Sequence, residues 1–235
     1  MYKLLSVGLD PKTIKGEKKG YLTGILYLSP AKLSGHNVCP DSTAGCRAVC
    51  INTAGLGGMF SSIQVARKRK TEMFYKEKGL FFHLLQKDIS TLQREADKRS
   101  LIPCVRLNGT SDLAFEKIAP YIFESNRRVH MYDYTKNLRR YSEWLVGAHK
   151  NLHLTYSASE DTDIEVIDEI LDRKGTVTVV FSTSKSKNLP LTYQGHPVYN
   201  GDDSDLRFLD KKGYIIGLKA KGKARKDMSG FVVQV

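Results

Sequence analysis

Over most of its 235 residues the chain alternates short β-branched apolar runs with segments whose apolar residues recur every three or four positions. The runs at 20–30 (GYLTGILYLSP), 102–109 (IPCVRLNG), 128–136 (RVHMYDYTK), 151–159 (NLHLTYSAS) and 176–182 (TVTVVFS) read as strands, with a shorter one at 196–202. Helices are expected between them. The longest covers 61–99, where Ile63, Ala66, Met73, Phe74, Phe81, Leu84, Leu85, Ile89 and Leu92 share a face and Gly79 marks a break. Strand–helix alternation implies parallel strands joined by right-handed crossovers. The expected fold is α/β, a partial or complete TIM-barrel-like (β/α) barrel in one domain over residues 1–235. The segments 213–222 and 230–235, with no helix between them, should form a C-terminal β-hairpin. An open doubly wound sheet is the alternative.

In such folds function gathers at the C-terminal ends of the strands. Those ends are rich in polar residues here: RLNGTSD after 102–109, YDYTKN after 128–136, TYSASED, FSTSKSK and YNGDDSD further on. Asn108, Ser111, Asp112, Asp133 and Lys136 are therefore candidates to line a mouth for cofactor or substrate.

The first strand ends instead in CPDSTAGCRAVC, which holds Cys39, Cys46 and Cys50, three of the four cysteines in the chain. No apolar run approaches the ~18 residues of a membrane span. The first twenty residues lack the apolar core of a signal peptide. A cytoplasmic, reducing location is expected, where clustered thiols serve metals better than disulfides. Soft thiolates suit iron–sulfur clusters and zinc. Three of them hold three corners of a 4Fe-4S cluster and leave one iron open. Zinc is the alternative metal, with His36 completing its set. Cys104 lies in an apolar strand and reads as a core residue.

The chain carries 37 Lys and Arg against 25 Asp and Glu, a formal charge of +12. That balance favours a polyanion, nucleic acid above all. Arg67 and Lys70 bound one basic run, and Lys219, Lys221, Lys223 and Arg225 form another. Single strands are favoured if Tyr132, Tyr134 and Tyr156 stack on unpaired bases. A metal nuclease using Asp112, Asp133, Asp202 and Asp205 is a further alternative. Whether the chain is an enzyme is left open, since no Ser–His–Asp set or phosphate loop is present.

A three-cysteine loop directly after the first strand of a β/α barrel resembles the radical S-adenosylmethionine superfamily, with C-x6-C-x3-C here in place of the usual C-x3-C-x2-C. The resemblance implies S-adenosylmethionine as a cofactor, held by the polar mouth around NGTSD. The order CPDSTAGCRAVC, VRLNGTSD, YDYTK, DLRFLD and GLKAKGKARKD is similar, over nearly the whole chain, to a family of uncharacterised bacteriophage proteins. This second resemblance implies a viral protein that works in the cytoplasm of the infected host.

Overall fold

The computed structural model describes residues 3–8, 11–147, 149–183 and 188–235. Strand β1 (Leu5–Val7) leads through helix α1 (Pro11–Glu17) to β2 (Tyr21–Leu26). The cysteine loop follows and contains two short helices, α2 (Ala44–Ala48) and α3 (Gly55–Met59). Next come α4 (Ser61–Lys76), α5 (Lys78–Lys98) and β3 (Ile102–Arg106). Short helices α6 (Phe115–Ile118) and α7 (Pro120–Ser125) precede β4 (His130–Thr135). The pattern continues with α8 (Leu138–Leu145), β5 (Leu152–Ser157), α9 (Ile164–Asp172) and β6 (Val177–Phe181). Four more strands end the chain: β7 (Thr192–Tyr193), β8 (His196–Asn200), β9 (Ile215–Lys219) and β10 (Val232–Val233).

The strands run in the order β1-β2-β3-β4-β5-β6-β9-β8-β7. From β2 to β6 the order follows the sequence without reversal and every pairing is parallel, so the sheet is not doubly wound. Nor does it close. β1 lies antiparallel on the outer edge of β2, and the antiparallel β7–β8 pair occupies the other end. Among the described residues, β1 and β7 stand at the two ends of the sheet and do not pair with each other.

The expected C-terminal hairpin is absent. β9 and β10 both pair with β6, each in parallel. β9 takes one edge of β6 along its whole length. β5 pairs with the other edge only at Val177 and Thr178, and β10 takes the end of that edge at Val180 and Phe181. The stretch between β9 and β10 is thus a crossover, not a turn. The break in the long helical region falls at Glu77, whose φ of −134° ends α4; Gly79 lies in the first turn of α5.

One face of the sheet carries the main core. Phe81, Leu85, Ile89, Leu92 and Ala96 form a buried stripe on α5 at helical spacing and pack with Leu22, Leu26, Val105 and Met131 of the strands. Each of the Phe, Leu, Ile, Val and Met side chains contributes roughly 1.5–3 kcal/mol when fully buried. The opposite face is lined by Cys104, Arg106, Tyr132 and Tyr134 and is covered by residues 204–210. There Asp205 accepts from Arg106 (3.2 Å) and from the Tyr132 hydroxyl (3.2 Å), and Arg207, with no exposed surface, pairs with Asp210 at 3.1 Å. A polar strap fills the space that a closed barrel would fill with apolar layers.

Candidate metal centre at the strand ends

The cysteine loop lies across the C-terminal ends of β2 and β3. Asp112 donates its N–H to the Val38 carbonyl (2.8 Å), and the Cys39 thiol lies 3.7 Å from the Thr110 carbonyl as a donor. Helix α2, which carries Cys46, is capped by Thr43, whose hydroxyl accepts from the Cys46 N–H (3.1 Å). Glu160, at the end of β5, accepts from the Gly45 N–H (2.6 Å) and from the Thr43 hydroxyl (2.8 Å). Gly45 is buried against Glu160 and Ser229, which leave no room for a Cβ. Val49, between Cys46 and Cys50, is buried with Ala220, Ala224 and Val232. The loop is therefore pinned by the rim on one side and by the crossover to β10 on the other.

Cys39, Cys46 and Cys50 are all free and half-buried. Burial pushes the Cys39 thiol up to about 12 and raises the other two, and the charges of Cys46 and Cys50 both add to the rise at Cys39. Each thiol also faces a group that favours the thiolate. Cys39 Sγ accepts from the Ala31 N–H (3.3 Å). Lys136 opposes the rise at Cys46. At Cys50 the Asn52 N–H and Arg67 do the same. Arg67 is 8% exposed and has no carboxylate partner among the described residues. It donates to the Asn52 side chain, lies over the Tyr27 ring at 4.9 Å, and leaves its Nε without a hydrogen bond. A buried guanidinium without an anion is costly, and ionising Cys50 would supply one.

This donor set fits a thiolate-bound cluster chemically: soft ligands, little water, and two cations to offset its negative charge. As arranged, no three His, Cys, Asp or Glu side chains among the described residues converge to hold a metal ion. His36, the expected fourth ligand for zinc, is stacked on Tyr75 with ring centroids 4.1 Å apart.

The structure brings the five expected mouth residues into one rim. Asn108 donates its N–H (2.8 Å) and side-chain N–H (3.0 Å) to Asp133, and its Oδ1 accepts from Ser111 (2.7 Å). Asp112 accepts from the Lys136 N–H (2.8 Å) and from Arg140 (2.9 Å). Lys136 Nζ donates to Ser157 and to the Ala158 carbonyl. Asn108 and Asp133 are buried and engaged with each other. Lys136 and Asp112 are the rim residues whose charges reach the thiols. An open cleft of about 410 Å³ lies beside them, bordered by Pro40, Asp41, Asp112, Leu113, Asn137 and Arg140.

Burial raises Asp133 to about 7, against the pull of Arg140, Arg106 and Asn108. A carboxyl raised in this way is protonated in the folded chain while the unfolded chain has already lost the proton. Stability should therefore fall as pH rises from about 4 to about 7 and be flat above. Urea unfolding at pH 5 and 8 should show a fall of about 2–3 kcal/mol from this group. Asp133→Asn should remove that fall, and an identical pH profile in the variant would contradict the assignment.

Several expected contacts are engaged elsewhere. Lys70 donates to the Leu4 carbonyl (2.6 Å) and is buried, so it and Arg67 face inward and are not available to phosphates. Lys221 pairs with Asp202 (2.6 Å), and Lys219 is half-buried, while Lys223 and Arg225 are exposed. Tyr132 and Tyr156 are buried, and Tyr134 lies under Arg106 at 4.6 Å, so these three tyrosines are not laid open for bases. Asp112, Asp133, Asp202 and Asp205 each belong to a different set of contacts, so they form no shared metal site. Of the expected FSTSKSK rim, residues 184–187 lie outside the described residues. Glu160 and Arg140 were missed as site residues, because their roles depend on contacts 115 and 28 positions away.

A family model described as Gene product 88 matches residues 3–235. The chain belongs to this family. No curated protein and no solved structure matches it. The gene product 88 match takes in the cysteine loop, the β3 and β4 rim and the crossover to β10 alike, so all the parts of the site belong to one family unit. No helix among the described residues is long and apolar enough to cross a membrane.

Proposed function

We propose that Cys39, Cys46 and Cys50 hold an iron–sulfur cluster, and that the chain binds or acts on nucleic acid in the cytoplasm of a phage-infected host. The observation that carries the first part is the matching of each thiol with its own thiolate-stabilising group, above all the buried Arg67 beside Cys50. Without metal the three half-buried thiols keep their protons; loading would release them and give Arg67 and Lys136 their counter-charge.

Three protein ligands leave one corner of such a cluster open. S-adenosylmethionine is the small molecule that the sequence resemblance points to, and when bound it would supply radical chemistry at that corner. In this reading Asp112 and Lys136 would orient its zwitterionic group, while Asn108, Ser111 and Asp133 hold the rim in shape. In the second reading the cluster is structural or redox-sensing, and nucleic-acid binding is the activity. The exposed cations Lys223 and Arg225 favour it.

The test is metal content and the visible spectrum of protein purified without oxygen. Iron and sulfide with a broad absorption near 400 nm are expected. Replacing Cys39, Cys46 or Cys50 with Ala should remove the iron, and Cys104→Ala should not. A colourless, zinc-loaded protein would sink the cluster. Calorimetry on the loaded protein then separates the two readings: no uptake of S-adenosylmethionine removes the first.

A further inference from the structure

Residues 42–71 and 211–226 both lack Asp and Glu. They are far apart in sequence and meet in the fold. The 3₁₀ turn at Ile51–Thr53 packs on the 3₁₀ turn at Gly222–Lys226, and Gly222, with φ +55°, sits so close to Ala54 that a Cβ would touch it. The joined surface begins one residue after Cys50, at the edge of the candidate metal centre.

Its exposed side chains are of two kinds. Lys68 and Arg69 on α4, and Lys223, Arg225 and Lys226 on the second turn, are exposed and have no ion-pair partner among the described residues. On the first segment Leu56, Met59 and Phe60 are at least half exposed, Met59 at 75%. Exposed apolar side chains grouped in one stretch, rather than scattered singly, mark a contact site.

We propose that this surface is the docking site for single-stranded nucleic acid, with phosphates on the five cations and base faces on Phe60, Met59 and Leu56. It rests on the nucleic-acid partner proposed above and gives it a place. Charge complementarity selects a polyanion. The apolar side chains select one whose bases are open, since a duplex hides those faces. An anionic membrane surface fits less well. Leu56 and Met59 sit on a helix of five residues and Phe60 at its junction with α4, not on one long amphipathic helix of the kind that lies in a headgroup layer.

The test is fluorescence anisotropy of the full chain with a labelled 20-nucleotide single strand, the matching duplex, and vesicles of phosphatidylcholine with phosphatidylglycerol. Log affinity for the single strand should fall with log salt at a slope of about −3 to −4, from roughly 0.7 for each of the five cations. Changing all five to Gln should flatten that slope. Changing Met59 and Phe60 to Ala should weaken single-strand binding about 5- to 150-fold and leave the slope unchanged. Iron content, measured on each variant, should not change, because none of these residues touches the thiols. Undiminished binding by the fivefold variant would overturn the surface while leaving the partner in place. No binding of either oligonucleotide by the unmodified chain would overturn both. Equal affinity for single strand and duplex, or binding to the vesicles alone, would overturn the assignment of a single strand.

Discussion

Replacing Arg140 with Met should destabilise the fold by about 3–5 kcal/mol, the cost of leaving buried charges without their partner. Arg140 is 5% exposed. Its Nε and Nη2 each lie 2.8 Å from one oxygen of Glu116, and its Nη1 lies 2.9 Å from Asp112. Such a fork binds a carboxylate through two parallel hydrogen bonds. In the variant Glu116, itself 6% exposed, has nothing to accept from but water that cannot reach it. Adding Glu116→Gln should recover part of the loss, because the remaining group is then neutral. Urea unfolding measures both. A loss below about 1 kcal/mol in the single variant would mean that the network contributes little. Since Asp112 also holds Val38 and Lys136, the same variant should take up less iron.

If Cys39, Cys46 and Cys50 hold a cluster as proposed, Arg67→Met should weaken metal binding while leaving the metal-free chain nearly as stable. In the metal-free chain the guanidinium is buried without a carboxylate, so its removal should change stability by no more than about 1 kcal/mol, the lost hydrogen bond to Asn52 offsetting the relief of desolvation. In the loaded chain the cluster loses a counter-charge beside Cys50. Affinity for the metal should fall about 10- to 100-fold, as it does when groups supporting a ligand are removed. Competition with a chelator reads the affinity, and melting of the metal-free protein reads the stability. A variant that loads normally but unfolds easily would make Arg67 a packing residue only.

The elements themselves were legible in the chain. The strands near 102, 130, 152 and 177 and the helices between them stand where apolar spacing put them, and Pro120 does start a new helix. What spacing does not carry is which edge a strand will meet. Nothing in LSV announces that Leu5–Val7 will cover β2 and keep the sheet from closing. The final strands looked like a hairpin because no helix separates them, yet Lys219 and Val232 stand on opposite edges of β6. The rim residues were legible because strand ends in parallel sheets gather in one place. The basic runs were less so. A cation that points inward, as Lys70 does toward the Leu4 carbonyl, has the same sequence appearance as one that points outward. The polar strap at 204–210 was invisible, since its partners Arg106 and Tyr132 lie 99 and 73 positions from Asp205.

The pinning of the cysteine loop by the last crossover has a consequence in time. Glu160, Ser229 and Val232, which pack against Gly45 and Val49 of the loop, are made after the thiols, and Val232 follows Cys50 by about 180 residues. At ~5–20 residues per second of synthesis, the loop leaves the ribosome roughly 10–40 s before its latch does. During that interval the three thiols are reachable by an iron–sulfur donor, and equally by oxidants. Insertion of β10 beside β6 then fixes the loop through the packing of Val232 with Val49. If these thiols hold a cluster as proposed, loading should be easiest during synthesis, before the last crossover fixes the loop.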